Sequence, residues 1–161
     1  MNNKILFFAL VLVAGAVVFF WPSDEKKIRD GLDSLAEYCS SAKEEPVIET
    51  LQKAALAAKL CTDPCTVHFE SLEIDRAFSQ KELTDRFLMM KKRLTDTVFN
   101  FHDTAVEIVG DDRAEVLTTL RINGQIVDKQ FTDAYEINIT VEKQDDGWRF
   151  GSFTVVEFMK R

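Results

Sequence analysis

Positive charge is scarce in this chain. Its 161 residues carry 20 Lys and Arg against 27 Asp and Glu, a net charge of −7 at pH 7. Binding to nucleic acid relies on clustered Lys and Arg that neutralise phosphates, so no nucleic-acid partner is expected. Only three prolines and six glycines occur, which excludes a fibrous or linker-like chain. Histidine is limited to His68 and His102, and neither has a nucleophile at a recognisable spacing. No Gly-x-Ser-x-Gly turn and no activated-cysteine motif exists, so a catalytic triad is not supported. Hydrophobic residues reach 46%, too many for a disordered chain and enough for one domain with a core.

The longest apolar run is Ile5 to Trp21, ILFFALVLVAGAVVFFW, with no charged side chain. As a helix it would reach roughly 25 Å, close to the roughly 30 Å of a bilayer's hydrocarbon core. Lys4 can snorkel at one end and Trp21 suits the interface at the other. Ala14-Gly15-Ala16 has the small residues of a signal-peptidase site. Cleavage there would leave Val17-Val18-Phe19-Phe20-Trp21 as an exposed apolar end, so residues 1–22 read as an uncleaved anchor. Lys26, Lys27 and Arg29 just past the run favour an internal domain on charge alone, whereas the extreme N-terminal position favours export. The expectation is a single-pass protein of a bacterial inner membrane, with residues 24–161 in the periplasm.

Beyond Pro22 the pattern is helices followed by strands. Ser23 or Asp24 can cap a helix whose apolar stripe is Ile28, Leu32, Leu35, Ala36 and Cys39. Pro46 fits the first turn of a second helix, with Val47, Leu51, Ala54, Ala55 and Ala58 facing inward. Thr66 to Glu70 alternates like a strand. Ser79-Gln80-Lys81-Glu82 is a capping box, followed by Leu83, Phe87, Met90 and Leu94 at helical spacing. From Asp96 the period changes to two. Gly110-Asp111-Asp112, Asn123-Gly124 and Gln144-Asp145-Asp146-Gly147 read as turns between long strands, which together suit an antiparallel meander. Trp148 opens the closing strand and reads as core.

Three helices, an interposed short hairpin and long antiparallel strands resemble the nuclear transport factor 2-like, or SnoaL-like, superfamily. The closing Asp146-Gly147-Trp148-Arg149-Phe150-Gly151-Ser152-Phe153-Thr154-Val155-Val156 is similar to that superfamily's last strand. The resemblance covers nearly all of residues 24–161. It implies an α+β domain of cystatin-like type, a curved sheet wrapped around helices into a cone with an internal pocket. It implies little chemistry, because the superfamily holds isomerases, cyclases, dehydratases, transport adaptors and members with no assigned activity.

The candidate chemistry is sparse. If Phe99 and Phe101 face inward, so does Asp103; if Tyr135 and Ile137 do, so does Asp133. Tyr38 edges the first helix's stripe. A carboxylate and a tyrosine in an apolar cone resemble the acid and base of superfamily isomerases, where desolvation tunes the carboxyl. The competing reading places these groups in water at strand ends. Cys39, Cys61 and Cys65 admit a disulfide between two of them or three inert buried thiols. A zinc site with His68 is disfavoured, since Cys65 and His68 would point to opposite faces of a strand. No cofactor or metal is expected. The function expected is a membrane-tethered, noncatalytic module for a small apolar ligand or a protein partner. The alternative is a small isomerase or dehydratase using a pocket carboxylate. Glu115, Arg121, Glu136 and Glu142 on the outer sheet face argue against a large dry dimer there.

Overall fold

The computed structural model describes residues 23–126 and 129–159. The anchor expected at Ile5 to Trp21 lies outside the described residues. Within them, no helix is long and apolar enough to cross a membrane.

Helix α1, Asp24–Cys39, opens where the Ser23 hydroxyl accepts the Lys26 N–H at 3.2 Å, with Asp24 and Glu25 in its first turn. Both features complement the unpaired N–H groups of a helix start. Its buried side is Ile28, Leu32, Leu35 and Cys39, as the spacing predicts. Helix α2, Val47–Lys59, starts after Pro46, which precedes the helix as its cap instead of lying in the first turn. Its buried side is alanine: Ala54, Ala57 and Ala58 are 0% exposed. The expected inward placement of Val47 and Leu51 is corrected, because they are 74% and 47% exposed. The first turns of α2 border a surface hollow shared with Leu88, Lys91 and Lys92, and only the alanine turns press closely on neighbours. Helix α3, Gln80–Arg93, carries the expected capping box, with Ser79 Oγ accepting from Glu82 N and Glu82 Oε2 accepting from Ser79 N.

Strands β1 (Cys61–Phe69), β2 (Ile74–Phe78), β3 (Thr95–Ile108), β4 (Arg113–Ile126), β5 (Lys129–Gln144) and β6 (Gly147–Met159) form one sheet in the order β2-β1-β6-β5-β4-β3. Two sequence expectations need correction. The sheet is mixed, because β1 runs parallel to β6 while every other pairing is antiparallel. Asn123-Gly124 is no turn: β4 continues through it to Ile126. Gly124 is required for a different reason. A Cβ there would meet Thr97 Oγ1 at 2.5 Å and the Phe131 ring at 3.0 Å, so the absent side chain lets two strands close on Thr97. The strand β1 also begins earlier than the alternation suggested, at Cys61.

The curved sheet wraps its concave face over α1 and α3. Alternation holds through the long strands: Ala114, Val116 and Thr118 of β4 and Ile137, Ile139 and Val141 of β5 are buried, while Leu117, Arg121 and Glu142 are exposed. Trp148 is half-buried and packs against the core cluster from its edge, with Lys143 Nζ 5.4 Å from its ring centre. The architecture is α+β, three helices on a six-stranded curved sheet.

Candidate ligand pocket

The helices do not fill the space beneath the sheet. A cavity of about 380 Å3 remains between them, and every helix and strand except α2 supplies wall. Helix α1 contributes Leu35, Ala36 and Cys39, and α3 contributes Leu83, Arg86, Phe87 and Met90. The sheet adds Phe78, Phe99, Phe101, Leu120, Ile137 and Phe153 among others. The wall follows from two periodicities meeting. The i, i+3, i+4, i+7 positions of α3 face the sheet, and alternate strand residues face the helices. Several wall residues, including Leu35, Cys61, Leu83 and Ile137, are 6% exposed or less, so much of the wall lies deep in the fold. A larger hollow of about 570 Å3 runs outside α1 along the start of β3. Its wall mixes Asp33, Glu37, Lys53, Asp96 and Asn100 with Ala36, Val98 and Phe99, so it is far more polar than the inner cavity.

Chemically the inner cavity is quiet. Among the described residues its walls carry no carboxylate and no imidazole. Two thiols face it. Burial pushes the Cys39 thiol up to about 12, against a smaller pull downward from Lys91. A hydrogen bond to the Cys65 sulfur, and then burial, raise Cys61 further. Both therefore stay protonated at neutral pH and are poor nucleophiles. Cys39, Cys61 and Cys65, which the sequence left open as a disulfide, are free buried thiols in the structure. No group of three or more His, Cys, Asp or Glu among the described residues is placed to hold a metal.

The four polar candidates lie elsewhere. Asp103 does not follow Phe99 and Phe101 inward. A bulge between His102 and Ala105 breaks the alternation, and Asp103 sits there at φ 51°, exposed beside Arg29 and Asp33. Tyr38 is half-buried and packs on the core from α1. Asp133 and Tyr135 do come together, with the Tyr135 hydroxyl donating to Asp133 Oδ2 at 3.4 Å. Burial first, and then the Asp133 charge, raise the Tyr135 hydroxyl above its usual value, so it holds its proton. Its ring meets Phe69 edge-on, with centroids 5.7 Å apart. None of the four lines the cavity.

Sequence reasoning passed over two residues of consequence. Arg86 is the one charged wall residue, three positions after Leu83 and four before Met90 on the α3 stripe that was read as apolar. Lys91 lies in a run of basic residues, yet its side chain is 0% exposed. It donates to the carbonyls of Tyr38 and Ser40, and faces Glu45 at 3.2 Å. Burial pushes the Glu45 carboxyl up, but hydrogen bonds from Lys53, Lys91 and Thr50 outweigh this and leave it below its usual value. A Leu83-Arg86-Met90 spacing was visible beforehand; the burial of Lys91 was not.

No protein-family model matches the chain, and no curated protein does. Solved structures do. The Kfla4162 protein from Kribbella flavida superposes with a TM-score of 0.67 at 16% identity, over 85% of this chain and 93% of that one. LinA gives 0.65 at 12%, over 84% and 87%. The hexachlorocyclohexane dehydrochlorinase LinA-type3 from Novosphingobium barchaimii LL02 gives 0.63 at 14%, over 83% and 86%. The chain shares the fold of these structures. At these identities the likeness extends to architecture alone.

Proposed function

We propose that this protein is a noncatalytic module that holds a small apolar ligand in the cavity between α1, α3 and the sheet, tethered to a membrane by Ile5 to Trp21. The observation that carries the reading is the wall itself, a concave, almost wholly apolar surface with neutral thiols as its least apolar members apart from Arg86. A dry apolar cavity of this size costs stability, and water inside it would lack polar partners. An apolar occupant removes both penalties, and about 380 Å3 falls in the range of about 300–1,000 Å3 typical of ligand pockets. The tether rests on the sequence run alone.

A second reading is a small isomerase or dehydratase-type enzyme. It draws support from the likeness to a dehydrochlorinase, because an elimination could proceed in a cone of this kind. Such a step needs a base against a substrate C–H. The Asp133–Tyr135 pair is the nearest equipment among the four candidates, yet it lies outside the wall.

The test uses the full-length protein in lipid nanodiscs and an uncharged alkyl diazirine that cross-links on illumination. Labelling should concentrate on peptides bearing Leu35, Phe87, Met90 and Phe153. Ala36→Phe, which places bulk in the cavity, should suppress it while the melting temperature is followed as a control. Labelling spread over the surface, or unchanged in a folded Ala36→Phe, would overturn the reading.

A further inference from the structure

Arg86 sets the class of ligand. Arg86 lines a wall that is otherwise uncharged, with its side chain exposed, in a chain with a net charge of −7. A carboxylate on its helix, Glu82, feels the Arg86 charge but makes no ion pair with it. Glu82, one helical turn away on α3, is the natural i, i+4 partner. Its Oε2 accepts from the Ser79 N–H at 2.9 Å and from the Ser79 hydroxyl at 3.0 Å, and its Oε1 takes Arg76. Both carboxylate oxygens already bond the capping box or Arg76, and Arg86 acts on Glu82 only through charge at a distance. Arg86 has no ion pair among the described residues. The guanidinium carbon instead lies 6.0 Å from the Phe78 ring centre, with Arg76 at 5.2 Å from the same ring. Phe78 is itself cavity wall. The exposed end of Arg86 and the apolar interior thus meet at one aromatic ring.

We infer that the ligand is an amphipathic monoanion: an apolar body inside the cone with a carboxylate-type head at Arg86. The inference rests on the binding reading above and adds the charge of the ligand. A guanidinium presents a planar fork of donors that matches a carboxylate in two parallel hydrogen bonds, which few other arrangements offer in a site otherwise without donors. The guanidinium over Phe78 stays solvent-exposed, so the head of a ligand bound there would retain some water and avoid the full cost of burying a charge. The volume of about 380 Å3 suits one short chain, of roughly ten to twelve carbons, or a two-ring body.

The experiment compares a ten-carbon carboxylic acid bearing a mid-chain diazirine with its methyl ester, on the full-length protein in nanodiscs, as wild type, Arg86→Gln and Arg86→Lys. Labelling of the cavity peptides is read against probe concentration. In wild type the acid should half-saturate at a concentration at least tenfold lower than the ester. Arg86→Gln should remove that preference, with the ester shifting less than twofold, and Arg86→Lys should restore part of it. Arg86 is exposed, so these variants should melt close to wild type. Equal half-saturation by acid and ester in wild type, or a preference that survives Arg86→Gln, would overturn the inference and leave an apolar pocket standing. Failure of both probes to label the cavity would overturn the inference and the binding reading together.

Discussion

Replacing Lys91 with methionine should cost the domain about 2–6 kcal/mol, chiefly from the two carbonyls it leaves unpaired. The magnitude follows from what Nζ holds. It sits at the C-terminal end of α1, donating to the carbonyl of Tyr38 at 3.2 Å and to that of Ser40. These are among the carbonyls a helix leaves without internal partners, at the negative end of its dipole. Each buried acceptor left unpaired costs about 1–3 kcal/mol. Glu45 loses a further partner but keeps Lys53 at 2.7 Å and Thr50 at 3.0 Å, so the carboxylate is not stranded. Methionine matches the length of the lysine stem, so no cavity contributes. At about 2–4 °C per kcal/mol for a domain of this size, the melting temperature should fall by roughly 10 °C. Urea unfolding followed by circular dichroism gives the free energy, and Lys92→Met, its exposed neighbour, should stay within about 0.5 kcal/mol of wild type. A loss below about 1 kcal/mol for Lys91→Met would refute the reasoning, because the two carbonyls would then be satisfied without the lysine.

Three further outcomes are expected. Lys143, the neighbouring Trp148 indole and Lys27 hold the Asp24 carboxyl at about 2, below its ordinary 3.8. A depressed carboxylate stabilises above its unfolded value, so this contribution should disappear as pH falls from about 4 to about 2. With Asp24 still 33% exposed, solvent screening reduces it to about 1 kcal/mol, and Asp24→Asn should flatten that part of a urea-midpoint profile. Gly124→Ala should destabilise by about 1–3 kcal/mol through the clash with Thr97 and Phe131, and Thr97→Ala should recover part of the loss in thermal melts. Full-length protein should sediment with membranes, resist carbonate extraction and retain an intact mass beginning at Met1; a soluble form beginning near Val17 would contradict the tether.

The legible part of this fold was the part governed by local chemistry. Ser23 and the Ser79–Glu82 box mark helix starts because side chains three residues away satisfy free N–H groups, and both act as expected. The alternation of Ala114, Val116 and Thr118 survives into the sheet for the same local reason, the period of a pleat. What failed depended on distant partners. Gly124 looked like a turn glycine, and only the arrival of Thr97 and Phe131 from other strands explains it. The parallel pairing of β1 with β6 joins segments some ninety residues apart, which no local pattern encodes. Asp103 was misplaced because one bulge reverses every orientation after it. The candidate site suffered in the same way. Polar residues were sought where the apolar stripes ran, while the residue that gives the cavity its charge, Arg86, stood within a stripe already assigned to the core.

The most direct test of a ligand-holding cone is methyl NMR of the full-length protein in nanodiscs, titrated with the ten-carbon acid. Methyl signals of Leu35, Leu83, Met90, Leu120 and Ile137, drawn from two helices and two strands around one cavity, should shift together along a single saturating curve. The exposed methyls of Val47, Ile48 and Leu51 on α2 should stay in place. Shifts confined to that α2 patch, with the cavity methyls unmoved at saturation, would contradict the account.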